Sequence, residues 1–366
     1  MAILFIGPLP EPVTGMSLAC KVFVDHLRNE FSVDVINLSK RSLGAGIDSV
    51  GRVFQVISIL WRVWLRCRHA EAIYFTISES VPGNLKDLAL YLVCFRNLGR
   101  MTIHLHGGAG LRIILEPRHS VLRAMNKFFL KRIGAVVVLG KRHIDIFDGL
   151  VSESRLHVVS NFSEEELFIE DSLLRKKFAS VTPLRLLFLS NLLQGKGHVE
   201  LVESYINLSI EFRGRVEIDF AGAFESKQEE RNFLASIDGY PCLRYHGSVR
   251  GRRKIELFHN AHIFCLPTYY PFEGQPISIL EAYASGCAVI TTNHSGILDV
   301  FSDARNGFLV ERRSPASITS VIEQALVSKD DLLRFALFNR READERYRTK
   351  RYNEELALIV SRLRST

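Results

Sequence analysis

The sequence predicts an α/β protein of two Rossmann-like domains, each built on a parallel sheet. Three observations carry this. Short apolar runs alternate with longer amphipathic stretches along nearly the whole chain. The runs are apolar at consecutive positions, which suits strands covered by helices on both faces. The chain has 366 residues, about twice the usual size of one domain.

Taken in order, strands are expected at 2–6, 33–36, 72–76, 102–106, 135–139 and 156–159 in the first half. In the second half they are expected at 184–189, 216–221, 243–245, 262–266 and 288–292, with helical patterns between most of them. The rhythm breaks between Asn161 and Pro183. That run holds Glu164, Glu165, Glu166, Glu170 and Asp171, then Arg175, Lys176 and Lys177, with no strong strand. The domain junction is placed there, giving a first domain at 1–165 and a second at 180–345. From Ser314 the tail reads as helical. Its last part, about 346–366, either packs back on the first domain or caps the second sheet.

Composition is that of a globular protein, 47% apolar and 24% charged. The six cysteines (Cys20, Cys67, Cys94, Cys242, Cys265, Cys287) have neither metal-ligand nor redox spacing. They read as buried small hydrophobes in a reducing compartment. Ala2–Ile6 meets Gly7-Pro8 too soon to be a signal core, and no uncharged apolar run is long enough to span a bilayer. The net charge of +7 suits anionic partners. No nucleic-acid module signature is present, so diphosphate substrates and lipid headgroups are expected, and no nucleic acid.

Two stretches of the first domain combine cations with apolar side chains. Residues 118–132 carry Arg118, Arg123, Lys127, Lys131 and Arg132 beside Val121, Leu122, Met125, Phe128 and Phe129, which fall on one helical face. Residues 53–68 carry Trp61 and Trp64 beside Arg62, Arg66 and Arg68. Such helices either lie on anionic lipid or pack on the sheet with solvated basic faces.

The most informative stretch is Pro267 to Thr292, PTYYPFEGQPISILEAYASGCAVITT. It reads strand, loop, helix, strand. Pro276 suits the first helical turn and Gly286 the residue past the helix end. The unit puts a helix N-terminus and a small-residue loop at the carboxyl edge of a parallel sheet, where open α/β sheets bind ligands. Glu273 stands in the loop and Glu281 eight positions on, within the helix. Carboxylates accept hydrogen bonds from the vicinal hydroxyls of a ribose or hexose. Either glutamate alone also suits a cap or a solvated helix position.

The string FEGQPISILEA resembles the E-x7-E signature of the retaining glycosyltransferases of family 4, which have the GT-B fold. The resemblance runs along nearly the whole chain. GPLPEPVTGMS (7–17) is similar to the family's N-terminal glycine loop, and HLHGG (104–108) to the strand end with its active-site histidine. VVSNFSEEELF (158–168) resembles the hinge motif, LFLSNLLQGKG (187–197) the donor-binding GRLxxxKG, and IDFAGAFES (218–226) and YHGSV (245–249) the nucleotide-contacting strand ends.

The resemblance implies two sheets facing across a cleft, and a catalytic set of His106, Glu273 and Lys196. Glu273 would hold hydroxyls of the transferred sugar, Lys196 would neutralise the diphosphate, and His106 would sit near the anomeric centre. Gly274, Gln275, Ile277 and Ser278 would offer backbone amides to sugar and diphosphate, around Pro276, which has no N–H. Glu281 would bind the ribose. Gly247, Ser248 and Val249 would border the base, and Gly15 and Met16 would let backbone approach the donor. Asn191 stands where the family has arginine, one positive charge fewer, with Lys196, Arg250 or Arg252 left to compensate. Asn161-Phe162 replaces the family's asparagine-glycine.

The implied reaction moves a hexose-type sugar from a nucleotide-diphosphate donor to a glycan or lipid-linked acceptor with retention. The setting would be bacterial surface polysaccharide, O-antigen or lipopolysaccharide assembly. A lysine, a helix N-terminus and amides can stabilise the leaving diphosphate without metal, and no D-x-D pair ends a strand. No metal and no cofactor beyond the substrate are therefore expected. The expected place is the cytoplasm, peripheral on the inner face of the cytoplasmic membrane. Two other readings share the architecture: a nucleotide-sugar epimerase and a non-catalytic nucleotide-sugar-binding subunit. A nicotinamide oxidoreductase is disfavoured, since GPLPEPVTG stands where G-x-G-x-x-G belongs.

Overall fold

The computed structural model of the chain describes residues 2–39, 49–116 and 120–363. The chain divides into two compact units. One holds the residues up to Asn161 and those from Lys350 on; the other is Phe162–Thr349.

In the first unit β1 (Ala2–Gly7) leads to α1 (Gly15–Glu30), β2 (Ser32–Asn37), α2 (Ser49–Cys67), β3 (Ala72–Thr76) and α3 (Val81–Val93). Then follow β4 (Met101–Leu105), α4 (Ala109–Ile114), α5 (Ser120–Leu130), β5 (Ala135–Val138) and β6 (Leu156–Val158). The six strands form a parallel sheet in the order β2-β1-β3-β4-β5-β6. Every residue of β3, β4 and β5 is buried, because helices cover both faces.

The second unit runs α6 (Asp171–Ala179), β7 (Leu184–Leu189), α7 (His198–Asn207), α8 (Ile210–Arg213), β8 (Val216–Ala221), α9 (Lys227–Ile237), β9 (Leu243–Tyr245) and α10 (Gly251–Asn260). It continues through β10 (Ile263–Leu266), α11 (Ile277–Ala284), β11 (Ala288–Thr292), β12 (Gly307–Val310), α12 (Pro315–Val327) and α13 (Lys329–Arg346). Its sheet is also parallel, in the order β12-β11-β10-β7-β8-β9. The chain leaves β7 towards β8 and β9, then returns to β10 on the other side. The adjacent strands β7 and β10 therefore flank the point where the strand order reverses, the place where open α/β sheets bind ligands. β10 pairs β7 with Ile263 opposite Leu186 and Phe264 opposite Leu187. Finally α14 (Thr349–Arg362) returns to the first unit, burying Tyr352, Leu356, Ile359 and Val360.

Helix starts follow local chemistry. Thr14 caps α1 in a capping box with Ser17, and Ser226 caps α9 in one with Glu229. Ser80 and Ser314 cap α3 and α12, each with proline in the first turn. The strand Gly307–Val310 was not expected from the sequence. It is four residues long, opens on glycine and lies at the sheet edge.

Candidate functional site

The loops after β7 and β10 are stitched together at the switch point of the second sheet. The carbonyl of Gly195 accepts the Tyr269 N–H at 2.7 Å and the Thr268 hydroxyl at 3.3 Å. Gly197 lies at φ +90°, and a Cβ there would come within 2.6 Å of the Pro267 carbonyl oxygen. Only glycine fits so close an approach in that conformation. This fixes Lys196 between two glycines and aims it at the opposite loop. Its Nζ lies 2.7 Å from Glu273 Oε2, with 12% and 9% of the two side chains exposed. The Thr268 hydroxyl lies 3.1 Å from the same oxygen, its one proton shared between this carboxylate and the Gly195 carbonyl, and the ammonium stands 4.8 Å from the Tyr270 ring centre. Asn191 lies in the turn before Lys196, its carbonyl accepting the Leu193 N–H at 2.9 Å.

Glu273, Gly274, Gln275, Pro276 and Ile277 are all buried, and Ser278 half-buried. Pro276 takes the cap position, one place earlier than expected, and α11 begins at Ile277. The loop is braced by Ser295, whose hydroxyl donates to the Glu273 carbonyl at 2.6 Å, and by the Gly296 N–H on the Gly274 carbonyl at 3.2 Å. Gly286 stands one place beyond the C-cap of α11.

Glu281 is buried in α11, and its Oε1 lies 2.6 Å from the ammonium of Lys254 on α10. Glu164 Oε2, ahead of a short 3-10 turn, lies 3.4 Å from the same ammonium. Burial pushes the Glu281 carboxyl above its usual range, while Lys254 pulls it back. Sequence reasoning missed Lys254. A signal existed: it precedes Leu257 and Phe258 by three and four residues, so it falls on the buried face of its helix. Arg252 does not fill the gap left by Asn191; its guanidinium pairs with Glu256, and 90% of its side chain is in solvent.

Gly247 and Ser248 help line a hollow of about 310 Å³ beyond the ends of β8 and β9, with Phe224, Lys227, Glu230 and Tyr245. Val249 follows them and is half-buried, packed against the apolar core.

The remaining predicted residues belong to the first unit. Gly15 and Met16 are the first two residues of α1. The capping box takes the Ser17 N–H and leaves theirs, like all first-turn amides, without helical partners. His106 follows β4, is 9% exposed, and its Nε2 has no hydrogen-bond partner among the described residues. Burial pulls the imidazole down to about 3, so it is neutral at physiological pH. His104 is wholly buried, its ring centre 4.0 Å from that of His106 with the two rings tilted by 32°, and meets the Tyr74 hydroxyl at 2.5 Å.

Glu79, also missed, follows β3 and accepts the N–H groups of Gly108 and Gly110 at 2.7 and 3.2 Å. A Cβ on Gly107 would fall 1.6 Å from Glu79 Oε1, so the glycine run after His106 makes room for this carboxylate. Burial pushes Glu79 up to about 7.

Helix α2 exposes Val53, Phe54, Ile57, Trp61, Trp64 and Leu65. On α5 the expected single face is split: Val121, Met125 and Phe128 are exposed, and Phe129 is buried. Phe128 stacks on exposed Phe95 under the guanidinium of Arg132. Arg118 lies outside the described residues. Among the described residues no helix is long and apolar enough to cross a membrane, and no three His, Cys, Asp or Glu side chains gather as a metal site.

Residues 170–342 match the family model described as glycosyl transferases group 1, and they lie wholly within the second unit. Over nearly its whole length the second unit is similar to a group 1 glycosyltransferase domain. Lys196, Glu273 and Glu281 all fall in the matched range. Over 83 residues the chain is 34% identical to the N,N'-diacetylbacillosaminyl-diphospho-undecaprenol alpha-1,3-N-acetylgalactosaminyltransferase of Campylobacter jejuni, covering 23% of this chain and 21% of the relative. It is 22% identical over 277 residues to the capsular polysaccharide biosynthesis glycosyltransferase CapM of Staphylococcus aureus, covering 71% and 69%. The chain thus spans between 21% and 69% of the length of its curated relatives. Among solved structures, Anabaena Alr3699/HepE in complex with UDP-glucose superposes with a TM-score of 0.73 over 99% of this chain and 100% of that one, at 15% identity. With both glycosyltransferase domain and neighbours in view, the fold of the two six-stranded sheets is GT-B.

Proposed function

We propose that this chain transfers a hexose-type sugar from a nucleotide-diphosphate donor to a lipid-linked or glycan acceptor in surface polysaccharide assembly. The observation that carries the reading is the Lys196–Glu273 pair at the switch point of the second sheet, beside the first turn of α11. The pair offers one cation and one carboxylate side by side. A sugar diphosphate needs both, a cation for phosphate and a carboxylate for sugar hydroxyls. HepE was solved with UDP-glucose, and the Campylobacter relative is named for a diphospho-undecaprenol acceptor; both support the substrate classes.

In this reading Lys196 and the amides of Gly274, Gln275, Ile277 and Ser278 hold the diphosphate. Glu273 holds the sugar, and Glu281 the ribose. The base lies by Gly247 and Ser248. The bond between the anomeric carbon and the β-phosphate oxygen breaks, with its electrons passing to the phosphate. The acceptor oxygen bonds the same face of that carbon, giving retention, and its proton passes to the departing phosphate. Lys196 and the helix start stabilise the charge that develops there. A thermal-shift screen of nucleotide sugars tests this: stabilisation by a donor in wild type and its loss in K196A are expected. No stabilisation by any donor would contradict the reading.

We extend the proposal to place. The exposed aromatic and aliphatic side chains of α2 and α5, edged by Arg62, Arg66, Arg68, Lys127 and Lys131, suit the headgroup region of anionic lipid. That would bring the enzyme to a lipid-linked acceptor at the inner face of the membrane.

A further inference from the structure

Lys254 is a buried lysine whose helix face otherwise carries Leu257 and Phe258 into the core. Burying an ammonium is costly unless opposite charge meets it. Two carboxylates do so here, Glu281 at 2.6 Å and Glu164 at 3.4 Å. They are unequal: Glu281 is the more deeply buried, with 3% of its side chain exposed against 31% for Glu164. The pair with Lys254 uses Glu281 Oε1, which among the described residues leaves Oε2 for a ligand.

The charged groups that face Glu281 are Lys254 from α10 and Glu164 from the segment before α6. Burial and Glu164 both favour a proton on Glu281, and only Lys254 opposes them. A protonated carboxyl accepts poorly from two neighbouring hydroxyls, whereas an ionised one accepts from both. The lysine thus decides both the charge of Glu281 and the direction of its free oxygen.

We propose that Lys254 is a positioning residue of the donor site, fixing Glu281 so that its second oxygen accepts hydrogen bonds from the ribose hydroxyls of a nucleoside diphosphate. The inference rests on the ribose role of Glu281 proposed above. Glu164 holds Lys254 from the other side, tying the donor helix to the segment that opens the second unit.

The test is calorimetric binding of whichever of UDP, GDP and ADP binds wild type most tightly, and of its 2′,3′-dideoxy counterpart. Wild type, K254R, K254M, K254Q and E281Q are compared at pH 7 and pH 9. Wild type should prefer the ribose form by about tenfold or more, the worth of hydrogen bonds to a charged group. K254R should keep that preference. K254M and K254Q should lose part or all of it, and lose less at pH 9 than at pH 7, because higher pH favours the ionised Glu281. E281Q should lack it at both. A merely structural lysine would weaken both ligands alike and leave their ratio unchanged. An unchanged ratio in a folded K254M or K254Q overturns the inference. No ribose preference in wild type would instead overturn the ribose role of Glu281.

Discussion

Lys196 Nζ and Glu273 Oε2 stand 2.7 Å apart, each from a different loop at the reversal point of the second sheet. Neither loop could set this distance alone. Gly195 and Gly197 turn one loop, and Thr268 and Ser295 hold the other. The two charges compensate each other before any ligand arrives, which offsets part of the cost of holding them in a place almost closed to water.

The first prediction follows directly. K196M should lower turnover about a hundredfold or more, because it removes the cation that stabilises the leaving diphosphate in the proposed reaction. It should also cost about 1–3 kcal/mol of stability, since among the described residues the Glu273 carboxylate is left with the Thr268 hydroxyl. The K196M/E273Q double variant should regain part of that stability and none of the turnover. Chemical denaturation and steady-state rates check both halves.

A second prediction concerns Gly197. At φ +90°, with Pro267 against its α-carbon, alanine must move the loop. G197A should cost about 1–3 kcal/mol and weaken donor binding. Alanine at solvent-facing Gly214, where nothing lies within 4 Å, should change neither by much. Paired melting curves distinguish the two sites.

Glu79 predicts a pH dependence. Its carboxyl is raised from 4.5 to about 7 in the fold. The folded state therefore holds a proton that the unfolded state releases. Stability from this group is full below about 4.5 and falls as pH rises towards 7. E79Q should accordingly gain on wild type across that window and run parallel to it above. Melting temperatures of both proteins from pH 4.5 to 8 check the sign; a gap that shrinks with rising pH contradicts it.

The lipid-facing reading is tested by vesicles. Wild type should co-sediment with anionic vesicles and be released by salt, and W61S/W64S should bind several-fold more weakly. Binding that is indifferent to both salt and substitution would contradict it.

Much of this architecture was legible in the sequence, for a physical reason. Strands such as Ala72–Thr76 and Ala288–Thr292 are buried on both faces, so they stand out as unbroken apolar runs. The edge strand Gly307–Val310 has no such contrast and was invisible. The loop carrying Glu273 was legible because glycine, proline and two glutamates fall in one frame. Lys254 was not, because a lysine in a basic string reads as solvated until its helical phase is compared with Leu257 and Phe258. Glu79 was hidden for a different reason. Its partners are backbone amides of Gly108 and Gly110, far off in sequence, which no side-chain pattern announces.

The central claim is sugar transfer at the Lys196–Glu273 pair. The most direct measurement incubates a panel of nucleotide sugars with and without a lipid-linked acceptor, and follows nucleoside diphosphate release and the donor's sugar by NMR. The account predicts release that requires acceptor and disappears in E273Q while the variant remains folded. Epimerised donor formed without acceptor, or full release from E273Q, would contradict it.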